Sequence, residues 1–278
     1  MAKFVTPEMP GLAEILEIVG ETPDTKTFTA RFVDKKLQKK FSFMPGRFMM
    51  VSVFGHGEIP ISITSSPYKT DTIRFTVVNV GNVTNAMHNL KKGDLIGLRG
   101  PFGNGFPMQR FRKKNIVFVT GGCGLAPLRS AIYAVQAKPK EYGKKFLFFG
   151  CRSPANILFK KDQEQWEKDG FNVLTTVDKC DSGWAGNVGL VTALFKKVEL
   201  PTENTVVLVC GPPIMIKFAI IELRKMGFSE EMIFASLERM MQCGIGYCSH
   251  CNAGNKYTCI HGPVFSASEL GRLPLEED

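Results

Sequence analysis

The sequence predicts a β-barrel followed by a parallel α/β domain, with a small cysteine-rich segment at the C-terminal end. In residues 1–110, short apolar runs are separated by Gly, Pro and Asp, as in an antiparallel barrel or sandwich. In residues 111–236, continuous apolar runs alternate with helix-length segments, which is typical of a parallel sheet covered on both faces. Residues 237–278 hold four of the eight cysteines and little regular pattern. The length of 278 residues agrees with two domains and a short additional segment, because a domain averages about 150 residues.

The apolar runs and the segments between them locate the individual strands and helices. Barrel strands are predicted at 48–54, 59–63, 73–80 and 95–98, with one short helix near 84–90. Strands of the second domain are predicted at 116–120, 146–149, 172–177, 206–209 and 233–236. The intervening helices are predicted near 127–137, 160–169, 189–197 and 213–226.

Composition excludes several classes of protein. The chain is 44% hydrophobic and 22% charged, which excludes a disordered chain, a collagen and a coiled coil. No apolar run approaches the ~20 residues that span a bilayer, and the N-terminus lacks a signal-peptide pattern. These features predict a soluble, cytoplasmic protein with no membrane insertion. The net charge of +9 is compatible with nucleic acid, an acidic partner or a phosphate-bearing cofactor, and its scattered lysines and arginines favour none of them.

The C-terminal cysteines have the spacing Cys243-x4-Cys248-x2-Cys251-x7-Cys259. The opening C-x4-C-x2-C is the plant-type [2Fe–2S] spacing, and glycines in the first loop permit the left-handed turns that wrap a small cluster. A structural zinc site usually pairs two C-x2-C knuckles, and only one is present. We therefore predict four [2Fe–2S] ligands, with zinc as the alternative.

A glycine-rich turn follows the first strand of the α/β domain and opens a helix. A strand-to-helix turn of this kind binds a pyrophosphate through free amides and the helix dipole. The match to G-x-G-x-x-G is imperfect, because proline replaces the last glycine, and a tight turn without a ligand is the alternative. The candidate residues are Gly121, Gly122, Gly124, Leu125, Ala126 and Pro127.

Two other strand ends carry candidate residues. Arg152 follows the second strand, where its guanidinium suits a ribose phosphate, and Cys210-Gly211-Pro212 follows the fourth. Ligands of open α/β sheets bind at the carboxyl ends of strands. The alternatives are a surface charge for Arg152 and a small buried residue for Cys210.

The barrel half carries weaker signals. The segment Pro60–Pro67 mixes hydroxyls with apolar residues, as the edge of a flavin ring requires. Val80, Gly81 and Thr84 begin a short helix where a phosphate can bind, with Thr84 as the N-cap. Both stretches are otherwise ordinary strands and turns. A chemical argument adds to them, because a nicotinamide delivers two electrons together, a [2Fe–2S] cluster accepts one, and a flavin converts between the two.

These motifs occur in the order Pro60–Pro67, Gly97–Pro107, Gly121–Ser130, Cys210–Pro213 and Cys243–Phe265. In this order they resemble the ferredoxin–NADP reductase superfamily over nearly the whole chain. The sequence is most similar to the gamma subunit of cytoplasmic NiFe hydrogenases (sulfhydrogenases). It is also similar to the corresponding subunit of anaerobic sulfite reductase and, more distantly, to the electron-transfer subunit of dihydroorotate dehydrogenase.

The resemblance implies an electron-transfer subunit with FAD on the barrel, NAD(P)H on the α/β domain and a [2Fe–2S] cluster near the C-terminus. It implies that the flavin ring lies against Pro60 and the stretch Ser62, Ile63 and Thr64, and that Val80, Gly81 and Thr84 face the FAD phosphates. It also implies that Cys210 lies near the nicotinamide, as the catalytic candidate. Many relatives have Arg where this chain has Ile59, so flavin binding must rely on other groups. The seven-residue gap before Cys259 fits the hydrogenase and sulfite reductase branch.

Two other functions stay open. A zinc-stabilised binding module would be colourless and, if basic enough, would bind nucleic acid in a salt-sensitive way. A regulatory subunit without turnover is compatible with Ile59. The electron-transfer function predicts a redox-enzyme partner and no nucleic acid. The sequence does not select between NADH and NADPH, although Arg152, Lys160 and Lys161 favour the extra phosphate slightly.

Overall fold

A computed structural model of the protein describes residues 9–271. It has one six-stranded sheet, one seven-stranded sheet and a small two-stranded sheet. Among residues 9–271, no helix is both long enough and apolar enough to span a membrane.

The N-terminal sheet is antiparallel, with the strand order β4-β3-β6-β1-β2-β5. Its two edges meet where Ile63 bridges Phe75 and where the Thr64 amide donates to the Arg74 carbonyl at 2.9 Å, so the sheet closes into the predicted barrel. Its strands are β1 (Gly11–Thr22), β2 (Thr25–Phe32), β3 (Phe48–Val53), β4 (Gly57–Ser62), β5 (Ile73–Val78) and β6 (Leu95–Phe102).

The first two barrel strands were not predicted from the sequence. In β1 the buried Ala13 and Ile15 alternate with the more exposed Leu12 and Glu14, and Glu17 farther along is exposed. The charges belong to the solvent face of a strand that is buried on one side only.

Two helices accompany the barrel, α1 (Lys35–Lys40) and α2 (Asn82–His88). The expectation that Thr84 is the N-cap of the second helix is wrong. The chain is still extended at Gly81, which is the N-cap, and Thr84 lies in the first turn. Its hydroxyl accepts from the amides of Val80 at 3.0 Å and Gly81 at 2.8 Å.

The α/β sheet has the order β10-β9-β8-β7-β11-β12-β15 and is parallel except for its last strand. Apolar cores cover both of its faces, as the continuous apolar strands predict. The strands are β7 (Asn115–Gly121), β8 (Lys145–Cys151), β9 (Phe171–Val177), β10 (Asn187–Val188), β11 (Thr205–Cys210), β12 (Ile233–Ser236) and β15 (Val264–Ser266), and the helices are α3 (Leu125–Ala137), α4 (Lys160–Lys168) and α5 (Pro213–Lys225). The helix predicted at 189–197 is instead a 3₁₀ segment, Val191–Lys197.

The cysteine-rich segment joins the two halves. It contains β13 (Asn252–Ala253), β14 (Lys256–Tyr257), α6 (Thr258–His261) and α7 (Ala267–Leu270), and its β15 pairs with β12. Asn104, which follows the last barrel strand, donates to the carbonyls of His261 at 2.9 Å and Val264 at 2.7 Å. The segment therefore packs on the barrel while extending the α/β sheet.

Candidate functional site

A cleft of about 470 Å³ lies at the carboxyl ends of the parallel strands, between the α/β sheet and the barrel. It brings together three of the predicted strand-end motifs and part of the barrel. The predicted residues that line it are Val80, Gly121, Gly122, Gly124, Arg152, Gly211 and Pro212. Lys160 and Lys161 are not among the described residues that line it, so the structure does not support their expected contact with a nucleotide phosphate.

The glycine-rich turn brings backbone atoms close together. At Gly124 a Cβ would collide with the Cys210 carbonyl and lie 2.7 Å from the Gly211 Cα, so only glycine allows this approach between the start of α3 and the end of β11. At Gly122, φ is +52° and a Cβ would meet no described atom within 4 Å, which leaves open space over the backbone. This open backbone suits the approach of a phosphate.

The residues after the turn lie deeper than the sequence predicts. Leu125, Ala126 and Pro127 are buried in the first turn of α3 and are not among the described residues that line the cleft. The Leu125 amide already donates to the carbonyls of Gly122 and Cys123, and proline has no amide hydrogen. Of these three, only Ala126 retains an amide that is not accounted for in this way.

Cys210 lies beneath the cleft and is fully buried. Burial raises the pKa of its thiol well above the ordinary value, so the thiol is neutral at physiological pH. Its neighbours Gly211 and Pro212 form the cleft surface above it. Cys210 therefore contributes a small, uncharged surface beneath the site.

Three acidic residues line the cleft together with Arg152, and sequence reasoning missed all of them. Asp24 accepts from the hydroxyls of Thr22 at 2.7 Å and Thr25 at 2.9 Å, and these bonds together with the charge of Arg152 lower the pKa of its carboxyl. Glu238 is exposed, but protein atoms around its carboxyl partly desolvate it and raise its pKa. The third is Asp178, at the end of β9.

The proposed flavin strand, β4, pairs with β3 along its length and meets the opposite edge of the sheet only beyond its own end, at Ile63. β4 is the edge strand of its sheet, and its residues from Glu58 to Ser62, including Pro60, are half-buried. The adjoining Val80 is 81% exposed. An apolar, partly uncovered strand edge of this kind fits a flat aromatic ring.

Buried residues beside this edge also bear on a flavin. Ile63 and Thr64 are fully buried, and the Ile63 side chain belongs to the barrel core. The Thr64 hydroxyl has no described hydrogen-bond partner, which is costly for a buried polar atom unless a ligand supplies one. The Nε of Arg47 is likewise buried without a described partner, and the Arg47 carbonyl accepts from the Ile63 amide at 3.0 Å. These orphaned atoms are consistent with a polar ligand beside β4.

The N-terminus of α2, beyond this strand, has space for a phosphate but few free amide donors. A Cβ on Gly81 would meet no described atom within 4 Å. However, the amides of Val80 and Gly81 already donate to the Thr84 hydroxyl. A phosphate at this position must therefore displace the Thr84 hydroxyl or bind through other groups.

The four cysteines of the C-terminal segment form two pairs. The sulfurs of the buried Cys251 and Cys259 lie 3.2 Å apart. The thiols of Cys243 and Cys248 are hydrogen-bonded to each other. Among residues 9–271, no three His, Cys, Asp or Glu side chains are already arranged to hold one metal ion. Two pairs of thiols suit the two irons of a [2Fe–2S] cluster better than one tetrahedral zinc.

Backbone amides surround one of these sulfurs. The amides of Ile245, Tyr247 and Cys248 donate to the Cys243 sulfur at 3.5, 3.3 and 3.5 Å. Amides aimed at sulfur stabilise a thiolate and tune a bound cluster. Gly244, with φ of +73°, allows this loop, and a Cβ there would come within 2.8 Å of the Met50 side chain on β3.

The cysteines differ in acidity. The backbone amides of His250 and Cys243 lower the pKa of Cys248 to about 7. Burial raises the pKa of Cys259 to about 12. His250 Nδ1 contacts the Cys248 carbonyl at 3.0 Å, so that ring nitrogen is engaged with the backbone. The prediction that the four cysteines, and not His250, are the cluster ligands stays a prediction.

Comparison with known proteins agrees with this arrangement. Residues 118–220 match the oxidoreductase NAD-binding domain, and residues 238–271 match the iron–sulfur cluster binding domain of dihydroorotate dehydrogenase B. The gamma subunit of sulfhydrogenase 2 from Pyrococcus furiosus is 39% identical, over 91% of this chain and 93% of that protein. A probable dihydroorotate dehydrogenase B (NAD(+)) electron transfer subunit from Methanocaldococcus jannaschii is 32% identical, over 95% and 92% of the two chains.

A solved structure shares the whole architecture. The structure of an NADH-dependent reduced ferredoxin–NADP oxidoreductase, studied for flavin-based electron bifurcation, superposes with a TM-score of 0.74 at 25% identity. The match covers 95% of this chain and 90% of the other. The predicted resemblance and fold class are thus confirmed. The chain belongs to the ferredoxin–NADP reductase superfamily, in the group that contains sulfhydrogenase gamma subunits and the electron-transfer subunits of dihydroorotate dehydrogenase B, and it is an oxidoreductase of that electron-transfer type.

Proposed function

We propose that the chain moves electrons between NAD(P)H and a partner redox enzyme through FAD and a [2Fe–2S] cluster, as the gamma subunit of a cytoplasmic NiFe hydrogenase. The observation that carries this proposal is the joining of three sites in one chain: a nucleotide-sized cleft, a partly uncovered barrel strand and two thiol pairs. The 39% identity with a sulfhydrogenase gamma subunit favours the hydrogenase as partner. The three functional units are residues 1–110, 111–236 and 237–278.

In the cleft, the chain binds and orients the nucleotide. Gly122 leaves backbone open for the pyrophosphate, while Gly121 and Gly124 allow the close packing that forms this turn. Arg152 offers a cation at the neighbouring strand end. Gly211 and Pro212 form the surface above the neutral Cys210 thiol, which keeps charge away from a nicotinamide ring. FAD, when bound, supplies the conversion between two-electron and one-electron transfer.

The barrel connects the two redox sites. β3 pairs with β4 on one side and with β6 on the other. The loop that carries Cys243 packs on β3 at Met50, and Met50 pairs with Pro60 of the proposed flavin strand. This proximity supports direct transfer from the flavin to the cluster within the chain.

The cleft electrostatics favour NADH. Its described lining has the single cation Arg152 against Asp24, Asp178 and Glu238. An acidic lining disfavours the additional phosphate of NADPH, and a carboxylate at a strand end suits a ribose hydroxyl. The cleft thus favours NADH, whereas Arg152, Lys160 and Lys161 in the sequence favour NADPH slightly.

A second candidate partner is a dihydroorotate dehydrogenase. The match of residues 238–271 to the cluster domain of that enzyme supports it. A role in a sulfite reductase-like complex is compatible with the same site. The same match to an iron–sulfur cluster binding domain favours a cluster over the zinc-stabilised module.

Cofactor analysis of the purified chain tests the proposal. We expect one FAD, two irons and two acid-labile sulfides per chain, and a hydrogenase as the protein that co-purifies with it from its native source. Stoichiometric zinc without iron or flavin would contradict the electron-transfer function. Co-purification with a dihydroorotate dehydrogenase would replace the hydrogenase as partner and leave the redox function intact.

A further inference from the structure

Arg99 is a buried cation that contacts both the flavin strand and the cluster loop. It lies on β6 and is 6% exposed. Its Nε donates to Glu58 Oε1 at 2.9 Å, and its Nη2 donates to Glu58 Oε2, so the pair is bidentate. The same Nη2 donates to the carbonyl oxygen of Cys243 at 3.0 Å. One guanidinium therefore links β4, β6 and the first cysteine of the cluster segment.

The other member of the pair is held equally firmly. Glu58 lies on β4, two residues before Pro60, and also accepts from the Ser52 hydroxyl at 2.8 Å. Ser52 belongs to β3, between the two strands that the ion pair bridges. A bidentate arginine–carboxylate pair fixes geometry as well as charge, which a lysine would not do.

This link has consequences for a cluster bound at Cys243. Reducing a cluster adds one negative charge to it. A nearby cation stabilises the reduced form and a nearby carboxylate destabilises it, and both effects are strengthened when the charges are partly shielded from water. Glu58 and Arg99 must therefore act on the cluster potential with opposite sign.

We propose that Arg99 is a positioning residue for electron transfer, which fastens the Cys243 carbonyl to the flavin strand and sets the cluster potential with Glu58 as its counter-charge. The inference rests on the proposed function, because it requires a flavin on β4 and a cluster on the four cysteines. It assigns the buried pair a redox role in addition to its part in packing.

An EPR-monitored redox titration of the full chain tests the electrostatic part. Arg99→Gln lowers the midpoint potential of the cluster, and Glu58→Gln raises it. Each substitution changes the ratio of oxidised to reduced cluster at a fixed potential at least tenfold, which corresponds to a shift of about 59 mV for one electron. The double variant returns towards the wild-type value. The control is Arg112→Gln, which breaks an exposed ion pair with Glu141 at 2.8 Å and leaves the potential unchanged.

Stopped-flow reduction by NADH tests the positioning part. Arg99→Lys keeps the charge but loses the bidentate geometry, so we expect flavin reduction at the wild-type rate and slower reduction of the cluster. If Arg99→Gln fails to hold a cluster, Glu58→Gln and Arg99→Lys still decide the question. Shifts of the same sign in Arg99→Gln and Glu58→Gln, no shift in Glu58→Gln, or unchanged cluster reduction in Arg99→Lys would overturn the proposal. A wild-type chain without any cluster signal would instead contradict the proposed function.

Discussion

Replacing Gly124 by alanine tests the nucleotide cleft at its tightest point. A Cβ at this position would collide with the backbone carbonyl of Cys210 and approach the Gly211 Cα to 2.7 Å. Backbone cannot rotate away as a side chain can, so the start of α3 must move from the end of β11. Overpacking of this kind costs about 1–3 kcal/mol. The same displacement separates two of the motifs that line the cleft.

The stability of the Gly124→Ala variant is measured by denaturant unfolding monitored by fluorescence, and its NADH affinity by titration. We expect a loss of about 1–3 kcal/mol in unfolding free energy. We also expect a dissociation constant for NADH that is at least about tenfold higher, which corresponds to 1.4 kcal/mol. The matched control is Gly20→Ala in β1, where a Cβ would meet no described atom within 4 Å. A Gly124→Ala protein with wild-type stability and wild-type NADH affinity would refute the assignment of this turn.

Three further predictions concern other parts of the site. In cluster-free protein, the rate of Cys248 alkylation by iodoacetamide rises as the pH passes about 7, because the lowered pKa makes the thiolate available there. Cys259 stays unreactive until the pH approaches its pKa of about 12. Equal alkylation of the two cysteines, measured by mass spectrometry, would contradict this difference. Asp178→Asn removes one carboxylate from the cleft, an electrostatic effect of about 1 kcal/mol, and lowers the ratio of kcat/KM for NADH to kcat/KM for NADPH about 3- to 10-fold. An unchanged ratio would show that Asp178 does not contribute to nucleotide selection. Arg47→Ala weakens FAD retention on gel filtration about tenfold, because the FAD loses the buried Nε as a hydrogen-bond donor. Replacement of the exposed Arg31 by alanine leaves retention unchanged, and equal retention in both variants would exclude Arg47.

The elements that are visible in the sequence are those with local signatures. The apolar strands β7, β8 and β11 are continuous runs because both faces of their sheet are covered. The spacing of the cysteines between Cys243 and Cys259 is likewise local, because ligands of a small cluster come from one short loop. Such patterns depend on neighbouring residues and can be recognised without the fold.

The features that were missed depend on distant residues. Arg99 is separated from Glu58 by 41 residues and from Cys243 by 144, so no local sequence pattern predicts that these residues are in contact. Asp24 enters the cleft from a turn between two barrel strands, and Glu238 enters it after β12. Thr84 was misplaced by three residues because the extended conformation of Gly81 is not evident from its neighbours. Local motifs in the sequence therefore predict part of the site, and tertiary contacts between distant residues complete it.

The transfer of electrons from a nicotinamide through a flavin to the cluster is tested most directly by anaerobic titration of the purified chain with NADH and, separately, with NADPH. Absorbance follows the flavin, and EPR follows the cluster. We predict bleaching of the flavin bands together with a rhombic one-electron signal, at lower concentrations of NADH than of NADPH. A cluster that dithionite reduces but neither nucleotide does would contradict this transfer and favour a regulatory subunit without turnover.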